Sequence, residues 1–92
     1  MKKALHIIVK GRVQGVGYRW FAKQAAQELG IAGFVRNLPN GDVEVVAVGE
    51  EEALERFIAQ LNKGPGFAYV TDLQIDPLPL EQAPYHSFEV TF

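Results

Sequence analysis

Apolar residues alternate with polar ones at the start of this chain, switch to helical spacing, and then alternate again. Leu5, Ile7 and Val9 lie on one face of an extended segment, and His6, Ile8 and Lys10 lie on the other, which predicts a strand over 5–10. Phe21, Ala22, Ala25, Ala26 and Leu29 recur at helical spacing over 18–29, with Gly30 as a C-terminal stop. Ile31 to Leu38 reads as a second strand. Pro39-Asn40-Gly41 is a hairpin signal, and Val43, Val45 and Ala47 mark one face of a third strand over 42–48. Ala53, Leu54, Phe57, Ile58 and Leu61 form the stripe of a second helix over 50–62, and Glu50, Glu51 and Glu52 suit its positive end. Lys63 to Gly66 ends it. A fourth strand over 69–76, a proline-rich connector from Pro77 to Pro84, and a last strand over 86–92 complete the chain. In that last strand Phe88, Val90 and Phe92 alternate with Ser87, Glu89 and Thr91.

The order βαββαβ plus a terminal strand predicts an α+β fold of ferredoxin-like type: a mixed, mainly antiparallel sheet with two helices on one face. A right-handed crossover through the first helix leaves room for strand three between strands one and two. That topology returns the end of strand two to the end of the sheet where strand one finishes. Asn37 shares parity with Gly33 and Val35, so it is expected to face the helices, near the loop after strand one. The last strand is expected to climb to the same end.

A length of 92 residues predicts one domain, 1–92, with a modest core. No apolar run is long enough to span a membrane, and the short run after Lys2 and Lys3 is broken by His6 and lacks a signal-peptide cleavage site, so a cytoplasmic location is expected. The chain has no cysteine, which excludes disulfides, thiolate metal sites and cysteine nucleophiles. A net charge of −2 argues against nucleic acid, yet Lys10, Arg12 and Arg19 make the first loop locally basic, a pattern that fits a small anion.

That loop, Lys-Gly-Arg-Val-Gln-Gly-Val-Gly-Tyr-Arg-Trp over 10–20, holds Gly11, Gly15 and Gly17 and no nucleophile. Glycines allow successive N–H groups to point inward as an anion nest, and the loop opens a helix whose first N–H groups lack partners. Arg19 in the first turn adds a fork that suits phosphate oxygens. The plainer reading is a tight strand-to-helix turn, which accounts for neither the third glycine nor Arg19. The P-loop pattern fails for want of Gly-Lys-Ser/Thr, and the dinucleotide pattern would need glycine where Trp20 stands. Asn37 reads either as a turn former or as an amide that orients a water. Trp20 is either an exposed aromatic near the loop or a core residue. His6 and His86 read as surface strand histidines, and Asp72 and Asp76 as a solvated face. No grouping predicts a metal site or a cofactor.

Two stretches, Gly11 to Arg19 and Gly33 to Gly41, match the G-x-V-Q-G-V-G-[FY]-R loop and the G-[FWY]-V-x-N-x-x-[DN]-G hairpin of the acylphosphatases, and the chain resembles that family over essentially its whole length. The resemblance implies hydrolysis of small acyl phosphates such as acetyl phosphate, carbamoyl phosphate and 1,3-bisphosphoglycerate, with no metal or other cofactor. It implies that Arg19 and the backbone N–H groups of Gln14, Gly15, Val16, Gly17, Tyr18 and Arg19 hold the phosphoryl group, and that Asn37 holds the attacking water. A monomer with no nucleic-acid or membrane partner is expected. The competing reading is a non-catalytic module of the same fold that binds phosphate, acyl phosphate or RNA. Against RNA, strand three carries no stacking aromatic. A further expectation places the Phe92 carboxylate beside Arg19.

Overall fold

A computed structural model describes all residues from Met1 to Phe92. Strand β1 is Lys2–Arg12, helix α1 Tyr18–Leu29, β2 Ala32–Asn37, β3 Val43–Glu50, α2 Glu51–Lys63, β4 Tyr69–Leu78 and β5 Phe88–Thr91. The five strands form one sheet in the order β4-β1-β3-β2-β5. Strand β3 lies antiparallel between β1 and β2, as the crossover argument requires, and β5 runs parallel to β2. The α+β ferredoxin-like arrangement with a short C-terminal strand is the observed one.

Both helices pack on one face because their apolar stripes need a partner of the same kind. Ile7, Val9, Val35, Val43, Val45 and Ala47 from the sheet meet Ala22, Ala25, Ala26, Leu54, Phe57 and Leu61 from the helices, all buried in one cluster. Phe57 and Phe88 meet edge to face, with centroids 5.8 Å apart. That contact joins α2 to β5 in a geometry rings favour beyond their area alone.

The opposite face is not simply solvated. Ala4, Val46, Val48 and Ala83 form a second buried cluster, flanked by Ala32, Phe34 and Leu78. The strand order gives the reason. Strands β4 and β5 occupy opposite edges, so the chain between them must cross the sheet, and the helices already cover one face. The connector therefore runs over the other face, through a 3₁₀ turn at Leu80–Gln82, and brings Ala83 onto Val46 and Val48. Tyr85 then meets Phe34 edge to face at 5.7 Å.

Several boundaries differ from expectation. Strand β1 is longer at both ends because Lys2 and Lys3 pair with the end of β3, while Gly11 and Arg12 pair with β4 past a bulge. Strand β4 continues through Pro77, which an edge strand tolerates. The last strand is shorter than expected, and His86 lies in a bend before it.

Candidate functional site

The loop between β1 and α1 is shaped by two positive backbone angles. Gly15 has φ of 74° and Gly17 has φ of 77°, both in the left-handed region. A Cβ at either position would meet nothing within 4 Å, so backbone conformation rather than space calls for glycine. Gly17 is the N-cap of α1 and brings no capping side chain, and the first turn holds no acidic residue. The positive end of the helix is left without a protein counter-charge of its own. None of the loop, turn or cap hydrogen bonds uses an N–H of Gln14 to Arg19 as donor.

A cleft of about 440 Å³ opens over this loop, lined by Val13, Gly15, Gly17, Tyr18 and Arg19 together with Trp20, Lys23, Asn37, Glu89, Val90 and Phe92. The topology thus brings Asn37 to the end of the sheet that bears the glycine loop. The side-chain oxygen of Asn37 is buried and has no hydrogen-bond partner in the protein. Buried polar atoms are seldom left so, and those that are tend to serve a ligand or a water.

The six expected cradle residues divide. Gly15, Gly17, Tyr18 and Arg19 line the cleft, whereas Gln14 and Val16 do not. The Val16 side chain packs against the main core. The Gln14 amide turns away to the β2–β3 hairpin and donates to the carbonyls of Leu38 at 2.7 Å and Asp42 at 2.8 Å. Tyr18 is buried in the core, and its hydroxyl donates to the Leu61 carbonyl at 2.6 Å, which ties the start of α1 to the end of α2. Burial pushes the Tyr18 phenol well above its ordinary value, so it stays protonated and remains a donor.

Arg19 is half-buried and meets no carboxylate. Its Nη1 donates to the Thr91 carbonyl at 3.4 Å, and its guanidinium lies over the Phe92 ring, 4.7 Å from the centroid. The last strand does reach the loop, but no ion pair joins Arg19 to the terminal carboxylate.

Local sequence did not indicate which cations reach the cleft. Lys10 lies away from it and pairs with Asp42 at 3.1 Å. Arg12 does not line it either. Lys23 does, one helical turn after Arg19, with its ammonium 5.6 Å from the Trp20 centroid. Trp20 is exposed at the cleft rather than packed in the core. The spacing of Arg19 and Lys23 on one helix face was the available signal. Glu89, from β5, adds a carboxylate to the lining.

His6 is more than a surface histidine. Its Nε2 lies 2.7 Å from Glu44, whose other oxygen accepts from Arg36 Nε on β2. Glu44 is 38 residues from His6 in sequence, so strand pairing alone brings them together. Burial would raise the Glu44 carboxyl, but the hydrogen bonds from His6 and Arg36 and the nearby Arg36 charge outweigh it and hold the group below the usual range. This group lines none of the cleft. Asp72 and Asp76 are exposed, as expected. No three His, Asp or Glu side chains converge as metal ligands, and no helix is long and apolar enough to cross a membrane.

Known proteins share both the fold and the sequence. The acylphosphatase family model matches residues 5–90. An acylphosphatase of Archaeoglobus fulgidus is 46% identical over 89 residues, covering 97% of this chain and 98% of its own. One of Thermus thermophilus is 56% identical over 68 residues, covering 74% and 77%. The crystal structure of acylphosphatase from Bacillus subtilis superposes with a TM-score of 0.93 at 39% identity, over 100% of both chains. On this agreement in sequence, length and tertiary structure, the chain belongs to the acylphosphatase family of enzymes.

Proposed function

We propose that this enzyme cleaves the carboxyl–phosphate bond of acyl phosphates by direct attack of a water held by Asn37. The phosphoryl group sits on Arg19 and on the backbone N–H groups of Gln14 to Arg19. One observation carries the reading. Unspent N–H groups, a guanidinium and the residue whose buried amide oxygen has no partner come together in one cleft.

The chemistry suits so sparse a site. A carboxylate is a weakly basic leaving group and needs no acid to protonate it. Phosphoryl transfer passes through a loose transition state, so the water needs little prior activation. Positioning and charge stabilisation remain for the protein to supply. The Asn37 oxygen accepts one hydrogen of the water and turns a lone pair toward phosphorus. The new bond joins the water oxygen to phosphorus, and the bond to the acyl oxygen breaks with its electron pair leaving on the carboxylate. The proton passes to a phosphate oxygen. Backbone donors and Arg19 hold the three equatorial oxygens as charge spreads over them.

The same reasoning sets the substrate range. A phosphate monoester leaves as a basic alkoxide and needs a positioned acid, which Arg19, Asn37 and the backbone N–H groups do not supply, so sugar phosphates are turned over negligibly. The reading is of a metal-independent, cytoplasmic monomer acting on a small molecule, with no nucleic-acid or membrane partner. A binding module without turnover would have no use for the buried Asn37 oxygen. Hydrolysis of acetyl phosphate in EDTA tests the proposal, with glucose 6-phosphate as control. Wild type turns over acetyl phosphate alone, and Asn37→Ala loses about 10²-fold or more in kcat while still binding inorganic phosphate. Near wild-type turnover by Asn37→Ala, or comparable rates on the two substrates, overturns it.

A further inference from the structure

The Gln14 side chain takes no part in the mechanism above, yet it makes two short hydrogen bonds across a gap of 24 and 28 residues in sequence. Its acceptors are the carbonyls of Leu38 and Asp42, which face each other across the neck of the β2–β3 hairpin. Leu38 directly follows Asn37, and Leu38 N–H already donates to the Asp42 carbonyl at 2.8 Å. The Leu38 carbonyl also accepts from Gly41 N–H at 3.2 Å. Both hydrogens of one amide are therefore spent on two carbonyls at the rung just beyond the Asn37–Val43 pair. The backbone of Gln14 belongs to the glycine loop. A single residue thus joins the glycine loop to the hairpin that follows Asn37.

We infer that Gln14 is a positioning residue: its side chain clamps the hairpin that carries Asn37 to the loop that holds the phosphoryl group, and so sets the distance from water to phosphorus. The inference rests on the role proposed for Asn37. Without the clamp the loop and the hairpin are linked by the sheet beneath them and by the Lys10–Asp42 pair, which sits partly exposed and holds no hairpin carbonyl. Each then keeps its own chemistry but loses its register with the other. Errors of about an ångström in such a register cost on the order of 10²-fold in rate without removing any reacting group. Binding of inorganic phosphate needs only the loop and Arg19, so it survives.

Two replacements of similar length separate this from a merely structural role. Gln14→Met removes both donors. Gln14→Glu keeps the shape and aims a carboxylate at two carbonyl oxygens, so its protonated form alone can donate. The neighbouring charged groups, Asp42 and Lys10, already pair with each other at 3.1 Å. Acetyl phosphate kinetics, inorganic phosphate binding by calorimetry and thermal unfolding are compared for wild type, both variants and Asn37→Ala. Both Gln14 variants are expected to lose about 10- to 100-fold in kcat at neutral pH with phosphate affinity within about threefold of wild type. The ratio of Gln14→Glu to wild-type kcat is expected to rise as pH falls from about 8 to about 5, while the ratio for Gln14→Met stays flat. Recovery of one variant by protonation also shows that its chain is folded. Wild-type kcat in both Gln14 variants, beside a crippled Asn37→Ala, overturns the clamp and leaves the Asn37 reading standing. So does a parallel loss of kcat and phosphate affinity, which would assign Gln14 to the cradle alone. An active Asn37→Ala removes the role on which the clamp depends.

Discussion

The guanidinium of Arg19 lies 4.7 Å from the centroid of the Phe92 ring, and its Nη1 reaches the Thr91 carbonyl at 3.4 Å. The first loop and the last strand meet at one charged group. Phe92 is 93% exposed, so its attraction for the cation is of the surface kind, about 0.5–1 kcal/mol. Phe92→Ala is expected to free Arg19 and to weaken kcat/KM for acetyl phosphate by about two- to fivefold. Steady-state kinetics at two salt concentrations check this.

Arg19→Lys keeps the charge and removes the planar fork. Lysine offers a point charge on a flexible stem and cannot hold two phosphate oxygens in parallel. Both inorganic phosphate affinity and kcat are expected to fall, whereas Asn37→Ala lowers kcat alone. Calorimetry paired with initial rates distinguishes the two patterns. Equal phosphate affinity in Arg19→Lys and wild type would remove the fork from the account.

Gly17 tests the loop backbone without a steric complication. A Cβ there meets nothing within 4 Å, and φ is 77°. Gly17→Ala is expected to cost about 1–2 kcal/mol of stability through the left-handed backbone alone and to weaken phosphate binding. Gly17→Asn, which tolerates that conformation better, is expected to cost less. Denaturant unfolding and phosphate titration report the two effects.

Glu44 makes stability depend on pH. Its carboxyl is held below the usual range in the folded protein by His6 and Arg36, against the effect of burial. Its contribution is therefore present above the unfolded value near about 4.3 and is lost as pH falls through the folded value. Glu44→Gln is expected to lower stability by about 1 kcal/mol at pH 7, a difference that closes as pH falls below the unfolded value and through the lower folded one. Urea unfolding across that range measures it. A pH-independent difference would mean that packing, not charge, is at stake.

Much of this molecule is readable without coordinates. The stripe from Ala53 to Leu61 and the alternation from Val43 to Ala47 follow local periodicity, and each residue packs on the face it was expected to face. The parity of Asn37 and the crossover rule together anticipate its meeting with the glycine loop. Trp20 was ambiguous because an aromatic in a first helical turn serves core and cleft equally well. Lys10 was expected to make the loop basic but lies away from its cleft, and Lys23, for which no role was expected, lines it, because nearness in sequence to a loop says little about nearness to its cleft. His6 found Glu44 through the pairing of β1 with β3, which no local pattern reports.

The sequence by itself determined the elements, their order, and the loop and hairpin that carry the chemistry, because spacing, turn residues and helix ends act within a few residues of one another. Tertiary structure decided the rest. It placed Phe92 over Arg19, turned Gln14 onto two hairpin carbonyls, and laid the connector across the sheet face opposite the helices. Those contacts join residues 24 to 73 positions apart or depend on β4 and β5 lying at opposite edges. Strand order and register set such meetings, and both are properties of the assembled sheet rather than of any segment in it.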